Sequence, residues 1–430
     1  MHREILRLAI PNILSNLTVP LLGIVDTALM GRLDGEAYIG AVALGSMLLN
    51  FVYWSFGFLR MGTTGLTAQA YGQEDVAEQA TLIGRSLSVG VVSGLCIVLL
   101  QIPLVWIGFQ LIPGEAEVLE LARQYVLIRI WDAPATIGLY ALIGWFLGMQ
   151  NARLPLLLTI LVNVVNIVGN LYFVLHLGMK ADGVAWGTVL AQYTGFIAGL
   201  SLLFWRYRDL LRRLNTSILF KISGYRHFFA VNADMFVRTV LLLFVFAFFT
   251  AQGSGIDAMT LAANQILLQY FHTMAFGVDG FAFAAESLVG RFIGAKDATR
   301  LRQVVREIFM WGVGLGLVFT LIYLIAGEGL LTIFTDQVAV IAAARPYLPW
   351  MYAFPLAGAV AFMWDGIYVG ATASRPMRNS MLIATFLVFL PLWYIATPIW
   401  GNHGLWLALL SLMVMRGGLL GIWAKKYVKV

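Results

Sequence analysis

Apolar residues run along this chain in stretches of about 20, each closed by charged residues or by glycine and proline. Read between those breaks, the runs fall at about 9–31, 38–60, 81–108, 123–148, 154–178, 184–206, 227–251, 258–286, 304–326, 345–370, 379–400 and 404–424. A helix rising about 1.5 Å per residue crosses a hydrocarbon core of about 30 Å in about 20 residues, so each run predicts one transmembrane helix. The runs are continuous rather than alternating, which excludes a β-barrel. The basic opening, Met1 to Arg7, leads into a run that continues to about Met30 with Asp26 inside it and no cleavage site. It reads as the first span.

Composition makes the same point and adds orientation. Of 430 residues, 60% are hydrophobic and 12% charged, too few charges to solvate a soluble surface of that size. The net charge of +6 resembles a nucleic-acid signal, but its Lys and Arg lie between spans, so no nucleic-acid partner is expected. An even number of spans puts both termini on one side. Loops on that side hold about nineteen Lys and Arg, including Arg206, Arg208, Arg212, Arg213, Lys221 and Arg226 in the central loop. The opposite loops hold Arg32, Arg123, Lys180 and Arg345, so both termini are expected in the cytoplasm. The single cysteine, Cys96, excludes an internal disulfide.

A shift of 222 positions lays Gly72-Gln73-Glu74-Asp75 on Gly294-Ala295-Lys296-Asp297, Gly148 on Gly370 and Arg153 on Arg375. A constant offset over distant landmarks argues for duplication of a six-helix unit. The expected fold is an all-α membrane protein of twelve helices in two bundles, residues 1–206 and 227–430, joined by a basic cytoplasmic linker at 207–226. Six is even, so the halves share one orientation and are related by a pseudo-two-fold axis along the membrane normal. Such paired bundles suit alternating access to a site at mid-membrane.

Ionisable and amide groups inside spans are costly and mark candidate sites. Asp26 sits in the first span without a Lys or Arg one turn away, on a face shared with Asn12, Asn16 and Gly23. In the fifth span Thr159, Asn163, Asn166 and Asn170 recur at i, i+4, i+7 and i+11, one polar stripe on an apolar helix. Thr188 and Gln192 form an i, i+4 pair in the sixth. The offset carries Asp26, Asn163, Asn166 and Asn170 onto Phe248, Thr385, Val388 and Leu392, so this polar set belongs to the first half alone. In the second half, Asp234 and Arg238 are spaced to pair as structural neighbours, while Asp279 and Asp365 lie deep enough either to line a cavity or to serve as buried structural groups. Pro11 and Pro20 each leave a carbonyl unserved and give the first span places to bend.

No GxxxxGK[ST] run is present, so ATP does not drive the process directly. His2, His176, His227, His272 and His403 are scattered without metal-ligand spacing, so neither an enzyme nor a metal or organic cofactor is expected.

The stretches Leu8-Ala9-Ile10-Pro11-Asn12-Ile13, Val25-Asp26-Thr27-Ala28, Gly65-Leu66-Thr67-Ala68-Gln69-Ala70-Tyr71-Gly72, Asn166-Ile167-Val168-Gly169-Asn170, Asp279-Gly280-Phe281-Ala282 and Arg375-Pro376-Met377-Arg378-Asn379-Ser380 resemble the multidrug and toxic compound extrusion (MATE) family, in its bacterial DinF-like branch. The resemblance covers nearly the whole chain. It implies a carrier in a bacterial inner membrane, surrounded by lipid, that exports amphipathic, often cationic, drug-like or dye-like compounds against inward H⁺ or Na⁺; a monomer is expected because one chain holds a complete cavity. It also implies that Asp26 couples the cation, within a network of Asn166, Asn170 and Thr188. Some relatives carry a second acid where this chain has Asn170, and its absence tilts the expectation toward protons.

Burial penalises a charged carboxylate, so proton uptake at Asp26 would rearrange its network and let the first span move. Asn163, Gln192, Asp279 and Asp365 are the candidate cavity-lining groups. The main alternative is a flippase for a lipid-linked intermediate, which needs an arginine-rich cavity; Arg60, Arg85, Arg129, Arg238 and Arg416 are the near candidates. A channel or membrane assembly factor is the second.

Overall fold

The computed structural model describes residues 1–30, 36–110, 115–213 and 222–428; the side chains of 19–28, 30, 36, 222–224 and 227 also lie outside that description. The first half forms α1 (His2–Met30), α2 (Glu36–Ser55), α3 (Gly57–Gly72), α4 (Val76–Leu99), α5 (Gln101–Gln110), α6 (Ala116–Arg129), α7 (Ala133–Gly148), α8 (Arg153–Leu171), α9 (Ala181–Arg206) and the single turn α10 (Arg208–Leu211). The second forms α11 (Ile222–Ile256), α12 (Ala258–Gly294), α13 (Ala298–Phe334), α14 (Val338–Ala344), α15 (Leu348–Gly370), α16 (Ser374–Ile383), α17 (Leu390–Trp400) and α18 (Asn402–Tyr427).

Ten segments among the described residues are long and apolar enough to cross a membrane, five in each half. The 29 residues of α1 and the 37 of α12 supply a sixth to each, exceeding the about 20 that a crossing needs. Side chains such as Ile325, 85% exposed, cover the outside with apolar surface that only lipid would tolerate in such quantity. The chain is a multi-pass, all-α membrane protein.

Several membrane segments are broken, and proline explains two of the breaks. Pro134 has no N–H for the carbonyl of Ile130, which takes the N–H of Ala133 instead, so a 3₁₀ turn at Ile130–Asp132 separates α6 from α7. Pro349 does the same to Arg345, whose carbonyl is served by Leu348 across the turn Arg345–Tyr347. The fifth span of each half also widens into a π turn, at Tyr172–His176 and at Ala384–Phe389.

The duplication is written into the backbone. Glu74 and Lys296 both adopt positive φ, at 57° and 55°, and so do Gln150 and Thr372, at 60° and 51°; each pair is separated by the 222 positions read from the sequence. Asp75 and Asp297 then cap the following helices, accepting from Glu78 N–H and Arg300 N–H, each at 3.0 Å. Gly148 packs against the carbonyl of Thr64 and the side chain of Thr67, while Gly370 packs against the equivalent Glu286 carbonyl and Val289.

Two compact units result, Leu14–Phe229 and Met1–Ile13 with Ala230–Val430. This departs from the expected 1–206 and 227–430 boundaries at the start of the chain. The first thirteen residues of α1 pack within the second unit, where Gly280 lies against the Ala9 carbonyl and Ile13, and where Glu4 meets Arg291 at 3.5 Å. The change of allegiance follows Pro11 by two residues, although α1 is helical throughout.

Candidate functional site

In the unit Leu14–Phe229, α8 and α9 approach closely because glycine lines the contact. Gly169 faces the Gly187 Cα, and Gly183 precedes Gly187 by one turn in a small-xxx-small pattern. That proximity buries three of the expected site residues together. Asn170 Nδ2 donates to Asn166 Oδ1 at 3.0 Å, Asn166 Nδ2 donates to Thr188 Oγ1 at 2.9 Å, and Thr188 Oγ1 donates to the Val184 carbonyl at 3.0 Å. All three side chains are buried. The hydrogen bonds run in one direction, from Asn170 to a backbone acceptor, and α8 opens into its π turn directly afterwards.

The remaining members of the stripe divide. Thr159 donates to the Pro155 carbonyl and accepts from Ser15 Oγ at 2.9 Å, which ties α1 to α8. Asn163 is half-buried, and its Nδ2 makes no hydrogen bond among the described residues. Gln192 is half-buried one turn beyond Thr188. Asn12 is spent locally, donating to the Leu8 carbonyl at 2.8 Å. The side chains of Asp26 and Pro20 lie outside the described residues.

The second unit corrects one expectation. Asp234 and Arg238 each find a partner on another helix. Asp234 accepts from Arg378 Nη1 at 2.6 Å and Ser374 Oγ at 2.8 Å, whereas Arg238 donates to Asp365. Arg416, also buried, donates to the same Asp365 oxygen, so this carboxylate sits between two guanidiniums drawn from α11 and α18. A charge so enclosed has its countercharges supplied within the unit. Asp279 is half-buried.

Sequence reading passed over two clusters. Asn264 and Asn402 exchange two hydrogen bonds of 2.8 Å, and Trp406 Nε1 donates to Asn264 at 2.9 Å. Asp132, fully buried at the break between α6 and α7, lies 3.6 Å from Arg129 Nε and accepts from Thr136 at 3.1 Å. Its i, i+3 spacing to Arg129 was a visible signal. Four of the five arginines named for a pyrophosphate cavity are engaged: Arg85 with Glu78 at 3.5 Å, Arg129 with Asp132, and Arg238 and Arg416 with Asp365.

The MatE family model matches residues 11–172 and 235–395, two segments whose starts lie close to the offset of the internal repeat. The chain is 36% identical to the DNA damage-inducible protein F of Escherichia coli (strain K12), over 98% of this chain and 91% of that protein. It is 27% identical to a probable multidrug resistance protein NorM of Bradyrhizobium diazoefficiens, over 92% of this chain and 85% of the relative. Its fold matches a MATE protein crystallised in complex with MaL6, with a TM-score of 0.89 and 16% identity over 99% and 96% of the two chains. An outward-facing multidrug resistance MATE transporter of the MOP superfamily matches equally, at 0.89 and 17% identity over 99% and 95%.

Proposed function

The chain belongs to the MatE family of multi-helix membrane transporters, and on that premise we propose that it exports amphipathic cations in exchange for protons. The observation that carries this reading is one of register. Spans one and five run the same way through the bilayer and touch where Ser15 meets Thr159. Eleven residues, about 16 Å, further along each helix stand Asp26 and Asn170. Counted along the two helices, position 26 falls level with Asn170, which supports Asp26 as the group that works with the buried amide chain.

In this reading Asp26 changes charge with the proton, and the directional chain from Asn170 through Asn166 to Thr188 answers that change by altering its hydrogen bonds. A neutral Asp26 no longer demands donors, and the network relaxes. Recharging it costs desolvation unless the donors return. Because position 170 is an amide, the site holds one carboxylate, which suits a proton better than a sodium ion needing several oxygen ligands. The Lys/Arg bias supports cytoplasmic termini in a bacterial inner membrane, and each chain carries its own site, which supports a monomer.

Purified protein in liposomes, loaded with a cationic dye, tests the reading. An imposed proton gradient should drive dye movement that survives replacement of sodium by choline, and Asp26→Asn should abolish the coupled component while the protein stays folded. Collapse of transport in choline at a fixed proton gradient transfers the coupling to sodium. Full activity of Asp26→Asn removes the site.

A further inference from the structure

The cluster around Asp132 is a second charged centre in the unit Leu14–Phe229, and the export reading does not use it. Asp132 closes the 3₁₀ turn in the middle of the segment Ala116–Gly148, with the sixteen residues of α7 following it. A carboxylate that deep persists only with compensating contacts. Those contacts are incomplete. Arg129 Nε stands 3.6 Å from Asp132 Oδ2, the Tyr53 hydroxyl faces the same carboxylate, and none of these three buried atoms closes a well-formed hydrogen bond among the described residues.

The other end of the same guanidinium is occupied. Arg129 Nη1 donates to Ser46 Oγ at 3.2 Å and to Tyr125 OH at 3.1 Å, and those two hydroxyls are 3.0 Å apart. Gly45 lets α2 close onto Tyr125, so the hydroxyl pair is held firmly. The guanidinium is thus stretched between two sets of partners: hydroxyls on α2 and α6, and a carboxylate at the start of α7. A half-satisfied buried network of this kind has a competing arrangement in which the unpaired atoms are served.

The second unit shows which part is architecture. Its own fourth span breaks in the same manner, with a 3₁₀ turn followed by Pro349 at the second position of α15. At the 222 offset, however, Arg129 and Asp132 correspond to Met351 and Phe354, which carry no charge, while Arg345 in the turn itself pairs with Glu328 at 3.5 Å. The break belongs to both halves. Among the described residues, an Arg–Asp pair spanning such a break is found only in the half that holds Asp26.

We propose that Arg129 is a two-position switch residue, exchanging between Ser46–Tyr125 and Asp132–Tyr53, and that this exchange sets the angle between α6 and α7 during transport. It is a positioning residue and touches no substrate. The proposal rests on the export reading but not on the identity of the coupling ion.

The test compares wild type with Arg129→Met/Asp132→Asn, which removes both charges and so leaves no buried charge alone. Dye affinity is measured in detergent and turnover in liposomes. The switch predicts affinity within twofold of wild type and turnover at least tenfold lower. Wild-type turnover in the double variant overturns it, since a purely structural pair is dispensable once both charges are gone. Ser46→Ala serves as a second probe that removes one anchor with minimal change of volume. A turnover change of threefold or more at constant affinity is expected, and unchanged turnover overturns the switch. If wild-type protein moves no dye, the export reading fails first, and the two failures are distinct.

Discussion

The side-chain carbonyl of Asn170 occupies the space that a Cβ on Gly187 would need. The hydrogen-bonded chain at the C-terminal end of α8 therefore depends on a glycine one helix away, because any side chain at 187 evicts the amide that starts it.

Gly187→Ala should keep the fold but disturb Asn170. Overpacking of this kind costs about 1–3 kcal/mol. The expected result is a modestly lower unfolding temperature in detergent and a loss of coupled efflux at least tenfold greater than for Gly314→Ala, a position with open space around it. Equal efflux in the two variants would show that the Asn170 geometry is irrelevant to transport.

Thr188→Val removes the acceptor for Asn166 and leaves a buried amide donor unserved, a penalty of about 1–3 kcal/mol. Thr188→Ser restores the hydroxyl and should recover both stability and efflux. If Val and Ser behave alike, the hydroxyl plays no part.

Asp365→Asn should be the most damaging single change in the second unit. It leaves the buried guanidiniums of Arg238 and Arg416 facing a neutral amide, and breaking such a pair costs about 3–5 kcal/mol. Size-exclusion profiles of detergent-solubilised protein should show aggregation or loss of the monodisperse peak. A stable variant with altered dye affinity would instead return Asp365 to the cavity.

Outside the membrane, Asp257 caps α12 by accepting from the backbone N–H of Thr260 at 2.7 Å and its hydroxyl at 2.8 Å, and these bonds hold its carboxyl below the usual range. A lowered folded value means the cap is fully present above the ordinary carboxylate pKa, about 3.9, and is lost as pH falls through the folded value. Amide exchange at residues 258–261, corrected for its intrinsic pH dependence, should therefore accelerate only under strongly acid conditions. Asp257→Ala should show the faster exchange at neutral pH. Identical exchange in both proteins at neutral pH removes the cap.

Much of the site was legible because it is periodic. Thr159, Asn163, Asn166 and Asn170 share a helix face by spacing alone, and Thr188 follows on the next span. What spacing withheld is their order. Nothing local says that Asn170 donates to Asn166 and Asn166 to Thr188, since that depends on how closely two glycine-lined helices approach.

The contrast sharpens at Asp234 and Arg238. Four residues apart on one helix, they are placed to pair, yet Asp234 bonds to Arg378, 144 positions away, and Arg238 to Asp365, 127 positions away. The sequence by itself determined the spans and the 222-position repeat, because a bilayer forces each segment to satisfy its own backbone with its own residues. Only the tertiary structure decided which charges neutralise which. In a low-dielectric interior an ion pair is set by distance and by the exclusion of water, and both are properties of neighbouring helices rather than of neighbouring residues.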